Sequence, residues 1–154
     1  MKRLCLFFIT CAVLVTGCSA KLAPPPKEEV SNTQGSFSHE DLIYFIMIDR
    51  FKDGDKDNNN FTDVNKNDLK KFHGGDLKGI TEELDYIKSL GATAIWLTPV
   101  LKNEPNGYHG YWSYDFYDID PHYGTMDELK HLVDEAHKKG IKVLLDHIVN
   151  HTGY

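Results

Sequence analysis

Three short, unbroken apolar runs recur along this chain with a helical pattern between each pair. The runs are Leu42 to Ile48, Ala94 to Leu97 and Val143 to Leu145. Continuous apolar character of this kind predicts strands covered on both faces, as in parallel sheets. Between the first two runs, Leu84, Ile87 and Leu90 recur at helical spacing over Thr81 to Leu90, and Gly91 supplies a stop. Between the second and third, Thr125 and Glu128 form the Thr-x-x-Glu pattern of a capping box. The helix it opens carries Leu129, Leu132, Val133 and Ala136 on one face and ends at Gly140. The order strand-helix-strand-helix-strand demands a parallel sheet with crossover helices.

Two α/β architectures satisfy that order: a doubly wound sheet and the opening of a (β/α)8 barrel. The loops separate them. Strand-to-helix connections are long and rich in aromatic and carboxylate groups, whereas Gly91-Ala92-Thr93 and Gly140-Ile141 return the chain quickly to the next strand. Such asymmetry puts chemistry at the carboxyl ends of the strands. A dinucleotide-binding sheet needs a Gly-x-Gly-x-x-Gly turn after its first strand; here a polar segment from Asp49 to Asp76 stands instead. Residues 41–154 are far fewer than the roughly 250 of a complete barrel. The expected fold is therefore α/β, the first three β/α units of a (β/α)8 TIM barrel, truncated.

The first forty residues carry an address rather than a fold. Lys2 and Arg3 precede an apolar run from Leu4 to Leu14, too short for a permanent membrane span. The run leads into Val15-Thr16-Gly17-Cys18, which resembles the bacterial lipobox, in which the cysteine thiol is acylated after cleavage. Residues 1–17 then read as a lipoprotein signal peptide, and the expected location is the bacterial cell envelope, with the exported chain anchored to a membrane through a lipid on Cys18. Residues 18–40, with Pro24-Pro25-Pro26 and a Ser/Asn/Gln-rich stretch, read as an extended tether. The three cysteines are Cys5, Cys11 and Cys18, so none is left for a disulfide or a nucleophile. The net charge of −6, with no basic cluster, argues against a nucleic-acid partner.

Three constellations carry the candidate chemistry. Asp53-Gly54-Asp55-Lys56-Asp57-Asn58-Asn59-Asn60, closed by Gly74-Gly75-Asp76, alternates oxygen donors that suit a calcium ion with six to eight ligands. It is no EF-hand, because positions six and twelve from Asp53 are Asn58 and Val64 rather than Gly and Glu. Asn106-Gly107-Tyr108-His109-Gly110-Tyr111-Trp112 interleaves rings with hydrogen-bonding groups, a mixture that suits sugars. Asp146-His147-Ile148-Val149-Asn150-His151 leaves the third strand with a carboxylate, an amide and an imidazole.

Together these motifs resemble the alpha-amylase family of glycoside hydrolases. Asp146 to His151 is similar to its first signature, Asp-x-Val-x-Asn-His, with Ile148 at the valine position. Tyr108 to Trp112 and Tyr123-Gly124-Thr125 also match family motifs, and the match is collinear from about Leu42 to Tyr154. The loop from Asp53 to Asp76 resembles the calcium site of cyclodextrin glucanotransferases and related bacterial amylases. The resemblance implies one calcium on Asp53, Asp55, Asn58, Asn59, the Gly74 carbonyl and Asp76. It implies a second calcium to which Asn150 contributes. It further implies that Tyr111 stacks on glucose at the cleavage point, that His151 binds its hydroxyls, that His109 and Trp112 belong to the same pocket, and that Asp146 braces it.

The implied activity is cleavage of α-1,4-glucans such as starch and maltodextrin by a retaining mechanism. The carboxylates that break the bond in this family come from strands four, five and seven, and no Asp or Glu here sits in those motifs. No nucleophile or general acid is assigned, and the chain alone is expected to be inactive, an amino-terminal piece of a larger enzyme. The competing expectation is a non-catalytic, calcium-dependent surface lipoprotein that binds glycans.

Overall fold

The computed structural model describes residues 36–154. The signal peptide, Cys18 and most of the tether lie outside the described residues.

Three parallel strands form the sheet expected from the apolar runs: β1 (Ile43–Ile46), β2 (Ala94–Leu97) and, after a hairpin, β5 (Lys142–Leu145). Their spatial order is β1-β2-β5, with β2 in the centre. Tyr44 pairs with Ile95 and Ile95 with Val143; Ile46 pairs with Leu97 and Leu97 with Leu145. Because side chains alternate along a strand, these residues share the face toward the helices. Ile46, Ile95 and Leu97 are fully buried there, joined by Leu77, Ile80, Leu84, Ile87, Leu129, Leu132 and Ala136 from the helices. Burying each large aliphatic side chain contributes about 1.5–3 kcal/mol against leaving it in water.

The opposite face differs from the sequence expectation of strands covered on both sides. Ile43, Phe45 and Trp96 are about half exposed, and the rings of Phe45 and Trp96 meet edge to face with centroids 5.4 Å apart. Apolar character alone does not say which element covers a strand, only that something must.

The first helical segment begins earlier than its apolar spacing predicts and is broken in two, α1 (Leu77–Glu82) and α2 (Leu84–Ser89). Asp76 causes the early start, since its carboxylate accepts from the Gly79 N–H and caps the helix. Leu84 and Ile87 are buried as the periodicity requires, whereas Leu90 lies past the helix end and is half exposed. The third helix, α3 (Met126–Lys138), starts on the expected capping box: Thr125 Oγ1 accepts from the Glu128 N–H at 3.2 Å, and Glu128 Oε2 accepts from the Thr125 N–H at 2.8 Å. Its buried stripe is Leu129, Leu132 and Ala136. No helix among the described residues is long and apolar enough to cross a membrane.

The connection from β2 to α3, read from sequence as one long loop, contains an antiparallel hairpin of β3 (Leu101–Asn103) and β4 (Ser113–Ile119). Its register shifts between successive pairs, and Asp115 and Asp118 interrupt the alternation that marks an ordinary strand. The hairpin presents residues 104–112 at the carboxyl end of the sheet. At the amino end, Lys142 Nζ lies 2.8 Å from Asp41 Oδ2, an ion pair that joins the entrance of β5 to that of β1.

Candidate functional site

All three strands run the same way, so the segments leaving β1, β2 and β5 gather at one end of the sheet. From β1 the chain passes through Asp49 and Arg50. Asp49 is buried and accepts the N–H groups of His73 and Gly74 at 2.7 and 3.0 Å, while its own carbonyl accepts from Gly75. Burial raises its pKa above the usual carboxylate value, against the pull of those donors. A Cβ on Gly75 would overlap the Ile48 carbonyl, so the loop can return this close to β1 only with glycine at that place.

That return brings together the residues expected to hold calcium. Asp76 sits in the wall of the loop, with its carboxylate accepting from the N–H groups of Gly54, Asp55 and Gly79 and, at 3.4 Å, from the Asn58 side chain. Burial raises its pKa despite these donors. Asp53 Oδ2 accepts from Asn59 Nδ2 at 3.1 Å and from Lys66 Nζ at 2.8 Å. Between Asp53 and Asn59, three buried acceptors remain without a hydrogen-bond partner: Asp53 Oδ1, Asn58 Oδ1 and Asn59 Oδ1. The last lies against Gly74, where any Cβ would overlap it, and Gly74 is also in the left-handed region at φ 89°. Leaving a buried acceptor unpaired costs about 1–3 kcal/mol, so three within a few residues fit a bound cation better than an empty loop. One carboxylate oxygen and two amide oxygens are the hard donors that calcium takes, and the residues present fit that ion. Asp55 is turned to cap its own 3-10 turn through the Asp57 N–H. Among the described residues, no three His, Cys, Asp or Glu side chains are grouped to hold a metal. Any cation here therefore depends on amide and carbonyl oxygens. Asn150 is exposed, with Nδ2 3.3 Å from His151 Nδ1.

The aromatic motif and the third-strand motif meet at Tyr111. Its hydroxyl donates to Asp146 Oδ2 at 2.8 Å, its carbonyl accepts from His151 Nε2 at 2.9 Å, and its N–H donates to His109 Nδ1 at 3.0 Å. Since His109 Nδ1 accepts, the ring is the neutral tautomer with its proton on Nε2. Burial, which lowers the His109 pKa, favours the same state. The Tyr111 phenol is pushed up to about 12 by burial and by the hydrogen bond and charge of Asp146. His109 stacks on Tyr111 with centroids 6.0 Å apart and meets Trp112 edge-on at 4.8 Å. Trp112 is half exposed and stands at the rim of an open cleft with Tyr108, His109, Asn106, Lys70 and Lys71. Such a set offers ring faces for the C–H side of a sugar and polar groups for its hydroxyls.

Sequence reasoning missed the residues that hold this arrangement. Arg50 donates to the carbonyls of Leu69 and Lys71, lies over the Tyr108 ring at 4.1 Å and pairs with Asp49 at 2.9 Å, in a geometry too bent for a hydrogen bond. Asn103 Oδ1 accepts from the Trp112 N–H at 2.8 Å and sets the hairpin tip. His122 joins neighbouring Asp120 to Asp63, which is far from it in sequence. The one available signal was Arg50 itself, a charge closely following an apolar strand.

Comparison with known proteins agrees with the resemblance. Residues 45–154 match the model of the alpha amylase catalytic domain. A beta/alpha-amylase of Paenibacillus polymyxa is 55% identical over 114 residues, covering 72% of this chain and 10% of that protein. A cyclomaltodextrin glucanotransferase of Klebsiella oxytoca is 43% identical over 125 residues, covering 73% of this chain and 19% of the other. The crystal structure of an alpha-amylase from Geobacillus thermoleovorans, complexed with acarbose, superposes with a TM-score of 0.67 at 59% identity, over 74% of this chain and 24% of that one. The chain thus spans between about a tenth and a quarter of the length of these relatives.

Proposed function

The chain belongs to the alpha-amylase family, and from that premise we propose that the intact protein cleaves α-1,4-glucosidic bonds of starch or maltodextrin, with this chain contributing sugar-binding and calcium-binding residues. The observation that carries the proposal is the convergence on Tyr111: Asp146 and His151 from the third-strand motif grip a residue of the aromatic motif. In this reading the Tyr111 ring is the platform for a glucose unit and His109 and Trp112 extend it. His151 meets sugar hydroxyls, and Asp146 orients Tyr111 rather than attacking the bond. A retaining glycosidase needs a nucleophilic carboxylate and an acid/base carboxyl about 5 Å apart. Neither role is given to a residue of this chain.

Calcium would be held by Asp53, Asn58 and Asn59, each of which has one oxygen without a partner, with the Gly74 carbonyl, Asp55 and Asp76 completing the set, and Asn150 would serve a second ion. When bound, the ion supplies charge that fixes the loop; the loop residues themselves keep Gly74 and Gly75 against the end of β1. The exposed Ile43, Phe45 and Trp96 face is the inner wall that further strands of a barrel would cover. Acylation at Cys18 would place the enzyme on the bacterial cell envelope, with residues 18–40 as a spacer.

Release of reducing sugar from starch or maltodextrin by the intact protein tests the activity. Tyr111→Ala is expected to lower kcat/KM about tenfold through loss of one ring contact. No release by the wild type sinks the proposal. Radiolabelled palmitate incorporated equally by wild type and Cys18→Ala would refute the anchor.

A further inference from the structure

His122 lies outside every motif described above, yet its imidazole is the meeting point of two segments far apart in sequence. Nδ1 is 2.7 Å from Asp120 Oδ1, and Nε2 is 3.1 Å from Asp63 Oδ1. The ring lies flat on Phe72 with centroids 3.7 Å apart and an interplanar angle of 3°, and Phe61 leans on it at 4.2 Å. Its side chain is 12% exposed, that of Asp63 15% and that of Asp120 2%.

The partners' own hydrogen bonds decide the protonation state. Asp120 Oδ1 also accepts from the His122 N–H at 3.0 Å, and Oδ2 accepts from the Asn103 N–H at 2.9 Å. Asp63 Oδ2 accepts from the Asn106 N–H at 3.0 Å. Both carboxylates are engaged as acceptors, so each needs a proton on the ring nitrogen that faces it. A neutral imidazole has one such proton and an imidazolium has two. Burial by itself would lower the His122 pKa, but the hydrogen bonds and charges of Asp120 and Asp63 more than offset it and the net shift is upward. Lys71, Lys102 and Glu104 line the same cleft.

We propose that His122 is a positioning residue held as an imidazolium between Asp63 and Asp120, a pH-sensitive latch that ties the loop after β1 to the hairpin carrying the aromatic motif. The two carboxylates reach the motif directly: Asp63 fixes the backbone of Asn106, which adopts a left-handed φ of 64°, and Asp120 fixes Asn103, whose side chain sets Trp112. When the ring loses a proton, one carboxylate faces a nitrogen lone pair. The longer bond and the more exposed carboxylate are at Asp63, so that end opens first and frees the start of residues 106–112. The proposal rests on this hydrogen-bond network and is independent of the glucan-cleaving activity.

The sign follows from linkage. A histidine whose pKa is raised by folding stabilises the fold fully below its unfolded value of about 6.5, and the contribution is lost as pH rises through the folded value. The test uses the intact protein labelled with nitrogen-15 at histidine, with melting temperatures of wild type and His122→Gln measured in parallel. At about pH 6 both ring nitrogens of His122 should carry protons, and the wild type should melt higher than the variant by about 4 °C. That gap should shrink steadily toward about pH 9, because the substituted amide side chain does not titrate. A neutral ring at pH 6, or a gap equal at all pH values, overturns the latch. Should His122→Gln fail to fold, Asp63→Asn replaces it: the His122 resonances should then titrate at lower pH, and an unmoved titration also overturns the proposal.

Discussion

The helix-covered sheet and the loop from Asp49 to Asp76 are neighbours built on opposite principles. In the sheet, Ile95, Leu97, Leu84, Ile87 and Leu132 are fully buried, and buried apolar area is the main source of stability. In the loop, Phe72 is the one fully buried large side chain, while Asp49 and Asp76 gather backbone N–H groups and three acceptors between Asp53 and Asn59 remain unpaired. A frame of the first kind depends little on its solution conditions. A loop of the second kind is the part that an added cation or a change of protonation can alter.

Leu132→Ala should break the frame most severely, costing about 2–5 kcal/mol in a denaturant titration, with the same loss in calcium and in chelator. A loss that varied with calcium would blur the distinction between the two regions. Chelation comes next. Removing calcium held at a hundred times its dissociation constant should cost about 2.7 kcal/mol and lower the melting temperature. Asn59→Ala should abolish that response, and an unchanged wild-type melting temperature in excess chelator would reject the site. Tyr111→Phe removes the hydroxyl that bridges to Asp146 and should cost about 1.5–3 kcal/mol of stability, since the acceptor is charged. Ultraviolet titration should at the same time lose the tyrosine that ionises near 12. Thr125→Ala deletes the capping box of α3 and is expected to cost about 1 kcal/mol, independently of calcium. The smallest effect belongs to Asp41, whose carboxyl is lowered from 3.8 to about 2, by its hydrogen bond to Lys142 above all. Its contribution is present above the unfolded value and is lost as pH falls through the folded one. Wild type and Asp41→Asn should therefore converge in melting temperature as pH drops from about 5 to about 2.

Local signals announced the frame. Apolar runs marked β1, β2 and β5, and Thr125 with Glu128 marked the start of α3 to the residue. The early start at Asp76 was hidden because Asp76 read as a metal ligand, although an aspartate is also a favoured helix N-cap. The hairpin of β3 and β4 was hidden because Asp115 and Asp118 interrupt a strand whose partner supplies only three residues. At the site, motifs named Tyr111, His109, Trp112, Asp146 and His151 but not what fastens them. Asp63 and His122 are separated by 59 positions, and a contact over that distance leaves no periodic or compositional trace. Charged residues inside an acidic loop read alike until folding decides which of them face one another.

Tyr111 has three polar groups, and each one is occupied before any ligand arrives: the N–H by His109, the carbonyl by His151 and the hydroxyl by Asp146. The ordering entropy of that side chain is thus lost when the chain folds rather than when a ligand docks. A partner that lands on it meets a fixed plane, and little of the contact energy is consumed in arranging the protein. On the proposed reading of Tyr111 as a sugar platform, weak individual ring contacts then suffice for recognition, with selectivity set by which sugar face lies flat on that ring.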